Sequence, residues 1–213
     1  MTKFKNIKWL FFDLGSTLVN EEKAQEARIR ESVKLLAEQD ISMTEQQFFQ
    51  EMCNASKRYE SQYFTVMKNL GSDKIAPYPH QFEQLYAETL PLLDKLRQYY
   101  KIGIIANQSL TGAELLKKWQ LQDKVDFIHS SADLGIAKPN LEIFKIALKS
   151  SDCEPENACM IGDRLDNDIF PAKQLGMKTI WVKQGFGAYQ VPILKAYEPD
   201  LEVESLKELF DLL

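Results

Sequence analysis

The sequence predicts an α/β protein: a three-layer α/β/α core around a mainly parallel sheet, interrupted near its start by a helical insert. Three observations carry this expectation. Short apolar runs are continuous where a half-buried strand would alternate, as expected of strands buried on both faces. Helical patterns separate most of these runs from about residue 91 onward. Roughly seventy residues between the first run and Pro91 show helical period with no convincing strand, far more than an ordinary crossover holds. With 213 residues, 45% of them hydrophobic and 27% charged, the chain is long enough to bury such a core.

The apolar runs are "IKWLFF", "KIGIIA", "VDFIHS", "ACMIG" and "TIWV". Pro91 stands near the first turn of a helix carrying Leu92 and Leu96, and Thr111 precedes a second helix in "GAELLKKWQL". "LEIFKIALKS" forms a third, and "NDIFPAKQL" a fourth that ends at Gly176, a natural left-handed cap. Alternation of this kind implies parallel strands joined by helices that cover the sheet. In the insert, "EARIRESVKLLAEQ" carries a stripe of Ile29, Val33 and Leu36. Thr44 and Gln47 have capping-box spacing. Phe48, Met52, Ala55, Tyr59, Tyr63, Val66 and Leu70 then follow at helical steps until Gly71, which predicts one long amphipathic helix packed on the first as a hairpin. "APYPH", residues 76–80, reads as a stiff return. The predicted units are a core over 1–19 and 81–213 and an insert over 20–80.

Composition narrows the function. A net charge of −5 argues against holding nucleic acid or an anionic membrane by bulk charge, so an anionic ligand must be held locally. Cys53, Cys153 and Cys159 make neither an even disulfide set nor a C-x-x-C pair, and two histidines are too few for a histidine-rich metal site. The greasy patch behind Lys3, Lys5 and Lys8 is too short for a secretory or membrane segment. These features predict a soluble, unprocessed, cytoplasmic chain with reduced thiols.

In open parallel sheets ligands sit beyond the carboxyl ends of the strands. The polar residues there are Asp13, then Asn107, Gln108 and Ser109, then His129 to Ser131, then Asp163, with Lys138 and Asp168 just downstream. Acids and a lysine converging on one rim suit a hard cation together with a bound anion, as at a magnesium phosphate site.

These stretches resemble the haloacid dehalogenase-like hydrolases, most of whose members are magnesium-dependent phosphatases. "FFDLGSTLV" is similar to the family's first motif, D-x-D-x-T after a hydrophobic strand, and "IIANQS" to the second, a strand ending in Ser or Thr. "LGIAKPNLEIF" resembles the third, with its lysine, and "MIGDRLDNDIF" the fourth, G-D followed by a second acid. The order and spacing match along nearly the whole chain. The resemblance implies a Rossmann-like core and a helical-bundle cap that closes over the site, with hinges near Val19 to Glu21 and Ala76 to His80. It makes Asp13 the nucleophile and a ligand of Mg2+, with Asp163, the Gly15 backbone carbonyl and Asp168 completing the metal site. Lys138 would pair with a phosphate oxygen, and Thr17, Asn107, Gln108 and Ser109 would support the phosphate and the nucleophile loop. The substrate would be a small phosphorylated metabolite, with no nucleic acid or membrane partner.

Two positions depart from the pattern. Where phosphatases of this family carry a second Asp, the general acid and base, this chain has Gly15, and the hydroxyl residue expected before Asn107 is Ala106. Removing a general acid costs a factor of about 100 to 10,000 in rate, so the expectation is a slow phosphatase favouring leaving groups that need little protonation. Gly15→Asp would then raise turnover of alkyl phosphates if the loop tolerates it. Alternatives are a 2-haloacid dehalogenase, against which Asp163 speaks, and a non-catalytic member that binds a phospholigand or a protein. His129 ends a strand near the site and His80 sits at the return of the insert, but single histidines are usually structural, so neither is favoured to touch substrate. Arg28, Arg58, Gln62 and Tyr63 of the insert are further candidates for facing the site.

Overall fold

The structure, a computed structural model, describes residues 4–213. In chain order its first elements are β1 (Trp9–Phe12), β2 (Val19–Asn20), α1 (Glu22–Ala37), α2 (Glu45–Lys57), α3 (Gln62–Asn69) and β3 (Gln84–Leu85). There follow α4 (Thr89–Leu96), β4 (Lys101–Ala106), α5 (Gly112–Trp119), β5 (Phe127–Ser130), α6 (Ser131–Leu134), α7 (Leu141–Ser150) and β6 (Ala158–Gly162). The chain closes with α8 (Phe170–Gln174), β7 (Lys178–Val182), β8 (Leu201–Val203) and α9 (Leu209–Leu212).

The six-stranded sheet has the order β5-β4-β1-β6-β7-β8 and every pairing in it is parallel. Each apolar run predicted as a strand is one. Continuous hydrophobicity follows from the two-sided burial: Leu10, Phe12, Ile104 and Ile161 join a cluster with Leu92, Leu96 and Leu115. Phe11, Ile105 and Met160 join another with Ile143, Phe144 and Ala172. Neighbours along a strand point to opposite faces, so each strand must be apolar at both. The core is the Rossmann-like three-layer α/β/α arrangement that the pattern implied. β1 lies at its centre, where the chain order reverses between β4 on one side and β6 on the other.

Several details differ from expectation. β8 is a sixth parallel strand, only three residues long at the sheet edge, and it offers no apolar run to read. β2 and β3, in the stretch expected to lack strands, form an antiparallel pair that ties together the two chain crossings between core and insert. The long helix of the insert is broken. Tyr59 has φ 61, and the Glu60 N–H reaches back to the Ala55 carbonyl, a turn that ends α2 four residues before α3 begins. Helical periodicity runs through the break because Tyr59 is also apolar, but its ring serves another surface. It stacks on Tyr197 at 5.1 Å, and its hydroxyl donates to the Val191 carbonyl at 2.6 Å. The fourth predicted helix opens as a π-helical turn over Leu165–Ile169 before α8, and Gly176 takes the left-handed conformation expected of its cap.

Within the insert, Ile29, Leu36, Phe48, Met52, Tyr63 and Val66 form a separate hydrophobic cluster, with Val33 and Leu70 packed on its edge. Thr44 and Gln47 make the capping box read from the sequence. Cys53, Cys153 and Cys159 are all unpaired. Among the described residues no helix is long and apolar enough to cross a membrane.

Candidate active site

β1 ends at Phe12 and hands Asp13 to the carboxyl edge of the sheet, where its N–H donates to the Ile161 carbonyl of the adjacent β6 at 2.8 Å. β6 in turn ends at Gly162, which places Asp163 beside it. The π-helical turn carries Asp168 back toward the same point, and a β-carbon on Gly162 would stand 2.5 Å from its carboxyl, so only glycine fits there. Carboxylate oxygens of Asp13, Asp163 and Asp168 all lie within 4.8 Å of one another. Lys138, before α7, inserts its ammonium between two of them, donating to Asp13 Oδ1 at 2.5 Å and to Asp168 Oδ1 at 2.6 Å.

The electrostatics follow from burial. The Lys138 side chain is 2% exposed. Desolvation would lower its pKa, but Asp13 and Asp168 outweigh it, and the ammonium is pushed up to about 12. Burial drives Asp163 well above the usual carboxylate range, with Asp13 and Asp168 adding to the rise. Asp168 is pushed up to about 6, again chiefly by burial, although Lys138 pulls the other way. One ammonium does not balance three carboxylates, and the Arg164 guanidinium is spent on Asp166 at 2.6 and 3.0 Å. Oxygen donors carrying this excess of negative charge fit a hard divalent cation.

The structure brings some of the other predicted residues to the cluster and leaves others away from it. Asn107 is a clamp on the backbone of Lys138: its Nδ2 donates to the Lys138 carbonyl and its Oδ1 accepts from the Lys138 N–H, both at 2.8 Å. Thr17 is fully buried and its hydroxyl points to Asp163 Oδ1 at 3.5 Å, beneath the site. Gln108 lines the cavity over the carboxylates, whereas Ser109 is exposed and lies outside that lining. His129 faces Ser150 at 3.0 Å and His80 faces Glu83 at 3.2 Å; neither lines the cavity. Of the four candidates in the insert only Gln62 lines it. Arg28 stacks on Tyr63 at 3.3 Å, the Tyr63 hydroxyl bonds Ser32 and the Ala76 N–H, and Arg58 pairs with Glu60 at the surface. The Lys138–Pro139 peptide is cis.

The cavity holds about 190 Å³ and is lined by Asp13, Gly15, Lys138, Asp163 and Asp168 together with groups not singled out from the sequence, among them Ser16, Glu21, Gln25 and Phe186. A larger space of about 670 Å³ adjoins it and shares Ser16, Glu21, Gln25 and Phe186 as its wall. The segment after β7 closes the floor: the Trp181 indole N–H donates to the Asp163 carbonyl at 2.7 Å, and Gly187 lies against the same carbonyl. Glu21 is the most consequential addition. The Ser16 hydroxyl donates to its Oε2 at 2.8 Å and the Tyr78 hydroxyl to its Oε1 at 3.1 Å. Burial pushes its pKa up to about 7, with Glu83 and Asp13 reinforcing the rise against the Ser16 and Tyr78 hydrogen bonds. The signal in the sequence was only an acid shortly after the first motif, indistinguishable there from a helix-start glutamate.

The family model of the haloacid dehalogenase-like hydrolases matches residues 10–182. A glyceraldehyde 3-phosphate phosphatase of Pyrococcus furiosus is 30% identical over 233 aligned positions, covering 98% of this chain and 94% of the relative. Among solved structures, a HAD phosphatase from Thermococcus onnurineus aligns with a TM-score of 0.66 and 26% identity over 97% of both chains. A 2-haloacid dehalogenase from Pseudomonas syringae aligns with a TM-score of 0.63 over 97% of both, but at 23% identity, a likeness of fold alone.

Proposed function

The chain belongs to the haloacid dehalogenase-like hydrolases, and on that premise we propose that it is a magnesium-dependent phosphatase acting on a small phosphorylated metabolite through a phosphorylated Asp13. The observation that carries this reading is the grouping of Asp13, Asp163 and Asp168 within 4.8 Å, with Lys138 bridging two of them. The phosphatase named among its relatives supports it further. A halide and carboxylate site would have no use for two buried acids beside the nucleophile, so the dehalogenase reading is disfavoured.

Asp13, Asp163, Asp168 and the Gly15 carbonyl would hold the ion, whose chemistry is to offset charge on the phosphoryl oxygens. The remaining work belongs to the protein. A carboxylate oxygen of Asp13 attacks phosphorus, and the P–O bond to the leaving group breaks. Lys138 stays protonated throughout and lowers the repulsion between the incoming phosphate and Asp13. Asn107, by gripping the backbone of Lys138, fixes where that charge stands. Gln108, at the cavity wall, is the residue placed to stand in for the hydroxyl absent at Ala106.

Screening phosphorylated metabolites and aryl phosphates with magnesium, beside an Asp13→Asn control, tests the reading. The expected result is hydrolysis that needs Asp13 and is lost with a chelator. Halide release from a haloacid in the presence of a chelator, or ligand binding with no turnover and no trapped phospho-Asp13 on any ester, would overturn it.

A further inference from the structure

An alkyl phosphate leaves as an alkoxide unless a proton reaches its oxygen, so the cavity must contain a group able to give one and take it back. The titratable side chains in its lining are Asp13, Glu21, Lys138, Asp163, Arg164 and Asp168. Asp13 is the nucleophile. Asp163 and Asp168 belong to the carboxylate cluster, Lys138 is locked between Asp13 and Asp168, and Arg164 is paired with Asp166. Glu21 alone stands outside the cluster and its ion pairs, its carboxyl accepting, among the described residues, only from the Ser16 and Tyr78 hydroxyls, and it lies beside the nucleophile loop. A β-carbon built on Gly15 would lie 3.0 Å from its Oε2 and 3.1 Å from its Oε1, so the Glu21 carboxyl fills the space that a side chain at position 15 would otherwise occupy.

We propose that Glu21 is the proton carrier of this active site, supplying from the start of α1 the carboxyl group that the first motif lacks at Gly15. The inference rests on the phosphatase reading above. In the first step the Asp13 oxygen bonds phosphorus, the P–O bond to the leaving group breaks, and the Glu21 proton passes to the departing oxygen. In the second, the Glu21 carboxylate takes a proton from water as the water oxygen bonds phosphorus. The P–O bond to Asp13 breaks, orthophosphate leaves, and both residues return to their starting state.

Three features suit it to this work. Ser16 and Tyr78 each donate one hydrogen bond to a different oxygen, which fixes the carboxyl plane while leaving each oxygen a further lone pair. Its Oε2 stands 3.0 Å and its Oε1 3.1 Å from where a β-carbon on Gly15 would sit, against the loop that carries the nucleophile. Glu21 also stands in the wall shared by the two cavities, where a leaving group extending from the phosphoryl site would pass it. Gln25, one helical turn on in the same wall, has a buried Oε1 with no hydrogen-bond partner among the described residues, an acceptor suited to a leaving-group hydroxyl.

The test compares wild type, Glu21→Gln and the pair Glu21→Ala with Gly15→Asp, on an alkyl phosphate and on 4-nitrophenyl phosphate, with acid quenching to trap phospho-Asp13. For Glu21→Gln, alkyl phosphate turnover is expected to fall by a factor of about 100 to 10,000. The aryl ester should keep a stoichiometric burst but slow in the steady state, with phospho-Asp13 accumulating because water is no longer deprotonated. Glu21→Ala alone should lose the same activity, and adding Gly15→Asp to it should restore at least about tenfold. Alkyl turnover in a folded Glu21→Gln within about threefold of wild type, or no restoration by the relocated carboxyl, would overturn the inference while Asp13-dependent aryl hydrolysis kept the phosphatase reading intact. Absence of any Asp13-dependent hydrolysis in wild type would remove both.

Discussion

The carboxyl of Glu21 and the α-carbon of Gly15 exclude a side chain from one another's company: a β-carbon at 15 would meet Glu21 Oε2 at 3.0 Å. That contact revises the simplest repair of the first motif. Gly15→Asp on its own would force two carboxylates into a buried space built for one, and like charges there resist joint ionisation. We expect this single variant to gain no alkyl phosphatase activity and to unfold at lower urea concentration than wild type. A rise in alkyl turnover with unchanged stability would show that the loop makes room for both groups.

Glu21 should also leave a mark on stability against pH. Its carboxyl titrates near 4.5 when unfolded and near 7 in the folded chain, so the folded state keeps a proton that the unfolded state has lost. Stability is therefore lost as pH rises from about 4.5 to about 7, by at most about 3 kcal/mol from this one group. Glu21→Gln removes the dependence. Urea melts in metal-free buffer at pH 5 and pH 8 should show the variant gaining on wild type at the higher pH; an equal difference at both would contradict the sign.

Gly187 lies where the segment after β7 crosses Asp163. A β-carbon there would stand 2.1 Å from the Asp163 carbonyl oxygen, the acceptor of the Trp181 N–H. Since backbone must move to relieve the contact, Gly187→Ala is expected to cost about 1–3 kcal/mol and to weaken magnesium binding by displacing Asp163. Thermal melts and a magnesium titration would read the two effects. A variant with wild-type stability would mean that the segment yields freely.

Asn107 offers a graded test of its role as a clamp. Asn107→Ala removes both hydrogen bonds to Lys138, at about 1 kcal/mol each, and should lower kcat more than it raises KM because Lys138 loses its fixed position. Asn107→Asp keeps the acceptor for the Lys138 N–H, loses the donor to its carbonyl and should fall between. A change confined to KM would instead indicate direct contact with substrate.

The sequence revealed the sheet because each central strand is buried on both faces and has to be apolar throughout. It revealed Asp13, Lys138, Asp163 and Asp168 because strand ends converge on one rim whatever the loops do. It hid what depends on short or three-dimensional features. β8 is too brief to show a run, and Tyr59 kept the helical spacing while its backbone left the helix. Asn107 was legible as a polar group at the rim, but nothing in one dimension shows that the Lys138 backbone closes on it. Glu21 was hidden most completely, since its importance lies in a space left empty by another residue.

The break at Tyr59 gives the insert an attachment away from its chain crossings, beside the Ser56 hydroxyl's bond to the Phe186 carbonyl at 2.6 Å. Two chain crossings, bridged by β2 and β3, already join it to the sheet; Tyr59 adds an anchor through Val191 and Tyr197, far from both in sequence. A body held at two neighbouring points can swing about the line between them, but attachments off that line arrest the swing. If the insert opens to admit substrate, the Tyr59 hydrogen bond and ring stack, worth about 1–3 kcal/mol, must let go together with the Ser56–Phe186 bond and the Phe49 contacts with Phe186 and Tyr189.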